Sequence, residues 1–183
     1  FMTTLDGNAG LTVNTAGVTT FTGAVGNQVP LAFLTTDAAG SVAINGGVVR
    51  TTGDVGMTFN DAATLGMNTT LTATNNGGDV LGGITFGGTV NGAVSLTVNA
   101  DGTTRFKGVV GGTTKLSSVS ITAPYVYLHT VHTRGVQTYT ATHRIHANST
   151  NTTEGNGIEF AGNVVLDGAV AIDTTANGAA GAT

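Results

Sequence analysis

The stretch Asp6-Gly7-Asn8-Ala9-Gly10-Leu11-Thr12-Val13-Asn14 marks the chain as a repeat protein, because it returns twice. It recurs as Asn91-Gly92-Ala93-Val94-Ser95-Leu96-Thr97-Val98-Asn99 and, more loosely, as Asp167-Gly168-Ala169-Val170-Ala171-Ile172. Each copy begins with a turn signal, Asp-Gly or Asn-Gly, followed by alternating apolar and small polar residues. That pattern predicts a brief β-strand after a tight turn. The spacings of 85 and 76 residues are too long for one structural unit, so each copy must contain several coils.

The similarity between copies continues beyond the opening motif. With a shift of 85, residues 11–31 lie over residues 96–116. Farther on the shift falls to 80, where Phe59 corresponds to Tyr139, and then to 74. Small deletions of this kind belong to turns in a repeat architecture. We therefore predict one solenoid domain of superrepeats, with the boundaries 1–85, 86–159 and a partial 160–183, and with a flexible tail at 174–183.

The composition favours many short strands and almost no helix. The chain has 29 Gly, 40% hydrophobic and only 9% charged residues, and no window carries an uninterrupted helical stripe. Strand-like runs recur every ten or so residues, and the long repeat favours stacked coils over an antiparallel sandwich. We predict an all-β parallel β-helix, a β-solenoid with about 20 residues and three strands per coil. Each superrepeat would hold four coils, and the chain would hold about nine in total. At about 4.8 Å per coil, the rod would be roughly 43 Å long.

Charge and residue usage exclude several classes of partner. A net charge of -4 does not favour nucleic acid, and no apolar run is long enough for membrane insertion. The absence of Cys excludes disulfides and thiolate metal sites, and it fits a secreted chain. No cofactor is predicted.

Four strings carry a resemblance to a known group of proteins. They are Leu-Thr-Val-Asn-Thr-Ala-Gly (11–17), Leu-Thr-Thr-Asp-Ala-Ala-Gly (34–40), Asn-Asp-Ala-Ala-Thr-Leu-Gly (60–66) and Asn-Thr-Thr-Leu-Thr (68–72). In these four strings the chain resembles the β-strand repeats of giant bacterial surface proteins, the filamentous-haemagglutinin-like and autotransporter-type adhesins. The resemblance implies a right-handed parallel β-helix, export to the cell surface, and a stalk or adhesive role in a longer polypeptide.

Residues 124–154 depart from the repeat style. They hold all three Tyr, all four His and two of the four Arg, whereas the corresponding residues 41–74 of the first copy have no His or Tyr. Because the first copy needs none of these side chains to fold, they are the candidates for function.

The His residues form two His-x-x-His pairs and suggest a metal site, since imidazole is a common ligand. Residues three apart on a strand point to opposite faces, so only one His of each pair can share a site across coils. The candidate combinations are His132 with His143, or His129 with His146. The alternative is that the four rings are solvated surface imidazoles.

The same stretch also predicts a ligand platform, because Tyr stacks on sugar faces while Arg and His donate hydrogen bonds. Alternation places Tyr125, Tyr127 and His129 on one face, and Tyr139, Ala141 and His143 on another. The alternative is core packing, with Tyr139 standing where the first copy has Phe59. The predicted ligand-binding set is Tyr125, Tyr127, His129, Arg134, Tyr139, His143 and Arg144.

Acidic residues such as Asp54, Asp61, Glu154 and Glu159 are scattered over turn-like positions and form no catalytic constellation. We predict a non-catalytic extracellular structural or adhesive solenoid, not an enzyme. One alternative is a glycan-binding or glycan-cleaving β-helix that uses residues 124–154.

A further alternative is ice binding, which needs Thr-x-Thr at the same phase of every coil. The pairs Thr20-x-Thr22 and Thr72-x-Thr74 exist, but the spacing between such pairs is not constant. Both ends of a solenoid expose unpaired strand edges, so we also predict end-to-end self-association into a fibre, or a longer array.

Overall fold

The computed structural model describes residues 1–75 and 81–175, and these residues form β-strands without any helix. The predicted tail at 174–183 therefore lies mostly outside the described residues. In the described ranges, no helix could cross a membrane. The strands are β1 (Gly10–Val13), β2 (Val18–Phe21), β3 (Leu31–Thr36), β4 (Ser41–Ile44), β5 (Val48–Phe59), β6 (Ala62–Leu65), β7 (Thr69–Ala73), β8 (Ile84–Phe86), β9 (Val90–Asn91), β10 (Ser95–Ala100), β11 (Thr104–Phe106), β12 (Ser118–Leu128), β13 (Val131–His132), β14 (Gln137–Ala147), β15 (Asn151–Thr152), β16 (Ile158–Ala161), β17 (Val164–Leu166) and β18 (Ile172–Asp173).

The chain winds through three stacks of parallel strands, which it visits in the same order in every coil. One inward column of the first stack is Leu5, Val25, Val49, Leu71, Val98, Ile121, Tyr139 and Phe160. In the second stack the corresponding column is Leu11, Leu34, Met57, Ile84, Thr104, Val126, Ile145 and Val164. In the third stack it is Thr19, Val42, Ala63, Val90, Val110, Val131, Asn151 and Ile172.

These columns confirm the predicted parallel β-solenoid and correct its dimensions. Successive coils lie about 22 residues apart, and the chain makes about seven turns. The predicted coil of about 20 residues was slightly short, and the predicted nine coils were too many, because several corners are longer than a minimal turn. Seven steps at about 4.8 Å give a rod about 34 Å long.

The interior is held together by rings and aliphatic side chains that repeat at the coil spacing. Phe59, Phe86 and Phe106 stack face to face, with ring centroids 5.3 and 5.1 Å apart. All three rings are buried. Because residues on either side of each inward residue point outward, small polar side chains cover the rod without needing many charges.

The opening motif ties neighbouring coils together at a corner. The Oδ1 atom of Asp6 accepts hydrogen bonds from the backbone N–H groups of Gln28 and Val29 in the next coil, at 2.7 and 3.1 Å. One superrepeat later, the Oδ1 atom of Asn91 accepts from residues 113–114 at 2.9 and 3.1 Å. The glycine after each has a φ of 149° or 150°, a conformation that disfavours other residues. The turn signal that the two copies share therefore joins neighbouring coils through hydrogen bonds.

Each of the three strand stacks forms one face of the rod. From one superrepeat to the next, the chain advances by four turns less one face. Val13 lies in the second stack, whereas Val98, its match in the next copy, lies in the first. Phe59 and Tyr139 differ in the same way. Matching residues of successive copies therefore do not lie in one column, and the predicted four coils per superrepeat overcount by one face.

Candidate functional site

One outward column of the second stack changes from threonine to larger side chains halfway along the rod. From the first coil to the last it consists of Thr12, Thr35, Thr58, Thr85, Arg105, Tyr127, His146 and Val165. The unusual residues of the 124–154 stretch thus continue a column that is threonine in the earlier coils.

Arg105, Tyr127, His146 and Asp167 form a continuous set of contacts across four coils, which we call the surface ladder. The guanidinium carbon of Arg105 lies 3.7 Å from the Tyr127 ring centroid. The Tyr127 and His146 rings are stacked at 4.3 Å with an angle of 6° between them. His146 Nδ1 lies 2.8 Å from Asp167 Oδ2. Since Arg105 and His146 come from the coils on either side of β12, both faces of the Tyr127 ring are covered.

A second stacked pair lies at the corner between the first and second stacks. The Tyr125 and His143 rings are 4.8 Å apart. The strand register shifts here, with Ala123 opposite Ala141 but Tyr125 opposite Arg144. This irregularity turns His143 outward, although Tyr139 and Ala141 are buried. The prediction that His143 shares a face with these two residues was wrong, because alternation does not survive a bulge.

Tyr139 belongs to the core and not to a surface site. Its exposed fraction is 0%, its ring stacks on Phe160 at 5.3 Å, and burial raises the pKa of its phenol. The hydroxyl group donates a 2.8 Å hydrogen bond to Gln137 Oε1. The Gln137 amide in turn donates to the oxygen atoms Val131 O, Thr133 Oγ1 and Thr152 O. The core interpretation of Tyr139 is confirmed, and this residue leaves the predicted ligand set.

The structure separates one predicted histidine combination and brings the other together. His132 lies in the third stack, where Nδ1 is 2.6 Å from Thr152 Oγ1, and burial together with the Lys115 charge lowers its pKa. His143 is at a different corner of the rod. His129 and His146 line one groove. Within residues 1–75 and 81–175, no three His, Cys, Asp or Glu side chains come close enough to hold a metal ion.

The two predicted arginines lie away from the surface ladder. Arg134 is an exposed turn residue whose backbone carbonyl accepts a 2.8 Å hydrogen bond from Asn156 Nδ2. Arg144 is exposed at the bulge beside His143. Among the acidic residues, Asp61 is buried at a corner, and Glu154 pairs with Lys115 at 2.9 Å.

Beside the surface ladder runs a groove of about 270 Å³, which we call the ladder groove. Its lining residues are Arg105, Phe106, Lys107, Tyr127, Leu128, His129, His146, Asn148 and Asp167. The sequence analysis named Tyr127 and His129 as ligand-binding candidates and His146 as a metal candidate only, and it missed Arg105, Lys107, Asn148 and Asp167. A search for polar residues one coil apart would have found Arg105 and Asp167, which lie 22 and 21 residues from Tyr127 and His146.

No family model, curated protein or solved structure matches this chain. The fold by itself defines the class of protein, a β-solenoid of repeated strands.

Proposed function

We propose that the chain is a non-catalytic structural and adhesive element outside the cell, a rod segment that extends by stacking coil on coil. The resemblance of its repeat strings to bacterial surface proteins supports the extracellular setting. The observation that carries the structural role is the set of exposed apolar side chains in the last coil that the structure describes.

In the last coil, residues that continue buried columns are exposed. Val164, Leu166 and Ile172 are 42%, 65% and 55% exposed. Their partners one coil earlier, Ile145, Ala147 and Asn151, are at most 1% exposed. Within residues 1–75 and 81–175, the three columns thus end in exposed apolar side chains, and a further coil stacked on them would bury apolar area and pair the strand edges.

Such a coil can come from further repeats of a longer array or from a second copy of the chain, and the second source is the one that light scattering tests. The first coil has the same three faces, and its inward residues Leu5, Leu11 and Val13 are only half-buried. Stacking the last coil of one copy on the first coil of another is a heterologous contact that does not close, so it builds a fibre.

The experiment is light scattering of the chain over a range of concentrations, followed by electron microscopy. The apparent mass should rise with concentration for the wild type and for Val55→Arg, a control because Val55 is 61% exposed in the body of the rod. Leu166→Arg should remain a monomer, because it places a charge on the stacking surface. A wild type that stays monomeric at high concentration overturns the stacking role.

Ice binding is a second candidate, and one observation favours it. Two neighbouring outward columns of the first stack carry hydroxyl or amide side chains over four coils, although the sequence spacing between coils varies from 18 to 27 residues. The columns are Thr70, Thr97, Ser120 and Thr138 beside Thr72, Asn99, Thr122 and Thr140. Because the corners differ in length, these side chains stay aligned from coil to coil although their spacing in the sequence is irregular.

Thermal hysteresis measurements test this candidate. Ice binding predicts a hysteresis that is lost on replacing Thr97 and Thr122 by Leu and kept on replacing Thr58, which lies in another stack. Wild-type protein without hysteresis removes the candidate.

A further inference from the structure

We propose that the ladder groove binds a carboxylate-bearing saccharide, with Arg105 and Lys107 holding the acid group and Tyr127, His129 and Asn148 contacting the hydroxyl groups. The inference rests on the adhesive part of the proposed function and supplies its ligand. It does not depend on coil stacking, because the groove opens on the side of the rod.

The groove gathers positive charge in a chain that has little. Arg105 and Lys107 are two of only six Lys and Arg residues in a protein of net charge -4. They flank the buried Phe106, so both side chains project outward, Arg105 from β11 and Lys107 from the position directly after it. Two residues of extended chain separate them by about 7 Å. Among the described residues, neither forms an ion pair. Their charge is therefore available to an anion.

Among the described residues that line the groove, the one carboxylate, Asp167, does not cancel the charges of Arg105 and Lys107. Asp167 Oδ2 lies 2.8 Å from the Nδ1 atom of His146. That contact engages one of the two carboxylate oxygens with the His146 ring. Lys107 is exposed and Arg105 is half-buried against Tyr127, and a guanidinium group matches the planar geometry of a carboxylate.

The stacking of the surface ladder decides which kind of anion fits. Because Arg105 and His146 cover both faces of Tyr127, the ring cannot stack on a nucleotide base or on the apolar face of a neutral sugar. It presents its edge and its hydroxyl group. Recognition must then come from charge and hydrogen bonds, which suits a hydroxyl-rich acidic sugar.

Other polar groups of the groove can pair with sugar hydroxyls. Asn148 is exposed and offers both a donor and an acceptor. The Nδ1 atom of His129 is buried and has no hydrogen-bond partner among the described residues, so its Nε2 atom is left as the ring's hydrogen-bonding atom. Together with the Tyr127 hydroxyl, these groups line about 270 Å³, room for one or two sugar units of an extended chain.

Titration calorimetry with the full chain tests the proposal, using a galacturonate tetramer as the probe and a galactose tetramer of the same linkage as the neutral control. We expect binding of the acidic tetramer only. Arg105→Gln and Lys107→Gln should each weaken it about tenfold or more, since each removes a charge-assisted hydrogen bond. Arg50→Gln, which removes an exposed arginine on the first stack, should bind like the wild type.

Each other outcome counts against the proposal. Equal binding of the neutral tetramer, unchanged binding by both glutamine variants, or no heat with either probe overturns it. Equal affinity for a sulfated tetramer or for inorganic phosphate would replace the carboxylate assignment with a general anion site. Light scattering of the same variants reports stacking separately, so failure of the ligand site is distinguishable from failure of the structural role.

Discussion

Replacing Phe86 by Ala tests whether the stacked interior is the main source of stability. The Phe86 ring has an exposed fraction of 0% and lies between Phe59 at 5.3 Å and Phe106 at 5.1 Å. Truncating a buried Phe costs about 3–5 kcal/mol, because the transfer free energy is lost and a cavity remains. As the middle ring of three, Phe86 loses stacking on both faces, so we expect a cost near the upper end, about 4–5 kcal/mol.

Urea unfolding followed by circular dichroism measures this cost. With a slope of about 2 kcal/mol per molar urea, the midpoint should fall by about 2 M. Phe33→Ala is the matched control, because the Phe33 ring is half-buried on the outside of the second stack, over Gly10. Partial burial predicts a cost of only about 1 kcal/mol there. If the two variants lose equal stability, the continuous ring stack does not hold the rod together.

Three further changes follow from named contacts. Tyr139→Phe leaves Gln137 Oε1 buried without its donor and should cost about 1–3 kcal/mol in urea unfolding; an unchanged midpoint would contradict the buried hydrogen bond. Tyr127→Thr, which installs the residue type of the earlier coils, should cost about 1–2 kcal/mol by removing the ring stack and the cation contact, and no loss would show that the surface ladder does not stabilise the rod. Burial and the Lys115 charge lower the pKa of His132 from 6.5 in the folded state, so its contribution to stability is complete above that pH and is lost as the pH falls below it. His132→Asn should flatten this acid loss in thermal melts recorded from pH 7 to pH 5, and an equally steep loss in the variant would assign it to other groups.

The fold class could be predicted from sequence because its cause is local. Turn signals such as Asp6-Gly7 and alternating runs such as Leu11 to Val13 encode strand and corner directly. The number of coils could not be predicted as well. Corners absorb extra residues without changing the register of the strands, so sequence length per coil varies while the columns remain aligned. The unequal corner lengths also made the hydroxyl columns of the first stack unrecognisable in the sequence, because their residues are not evenly spaced.

The candidate site was predicted only in part, because it is assembled across coils. Comparison with the first copy identified Tyr127 and His129, because residues 41–74 contain no Tyr or His. It could not identify Arg105, which lies outside the unusual stretch and contributes only through its register with Tyr127. His143 was misplaced because a bulge interrupts the alternation on which its assignment depended.

The superrepeat that ends one face short of four turns has a consequence for how such rods grow. A duplicated segment need not contain a whole number of coils, because a strand that lies on one face in one copy can lie on a different face in the next copy. Every added copy rotates its outward side chains by one face. A longer array built from this unit would therefore carry successive ladder grooves on different sides of the rod, in the order of a spiral staircase, so that no single flat surface could engage all of them.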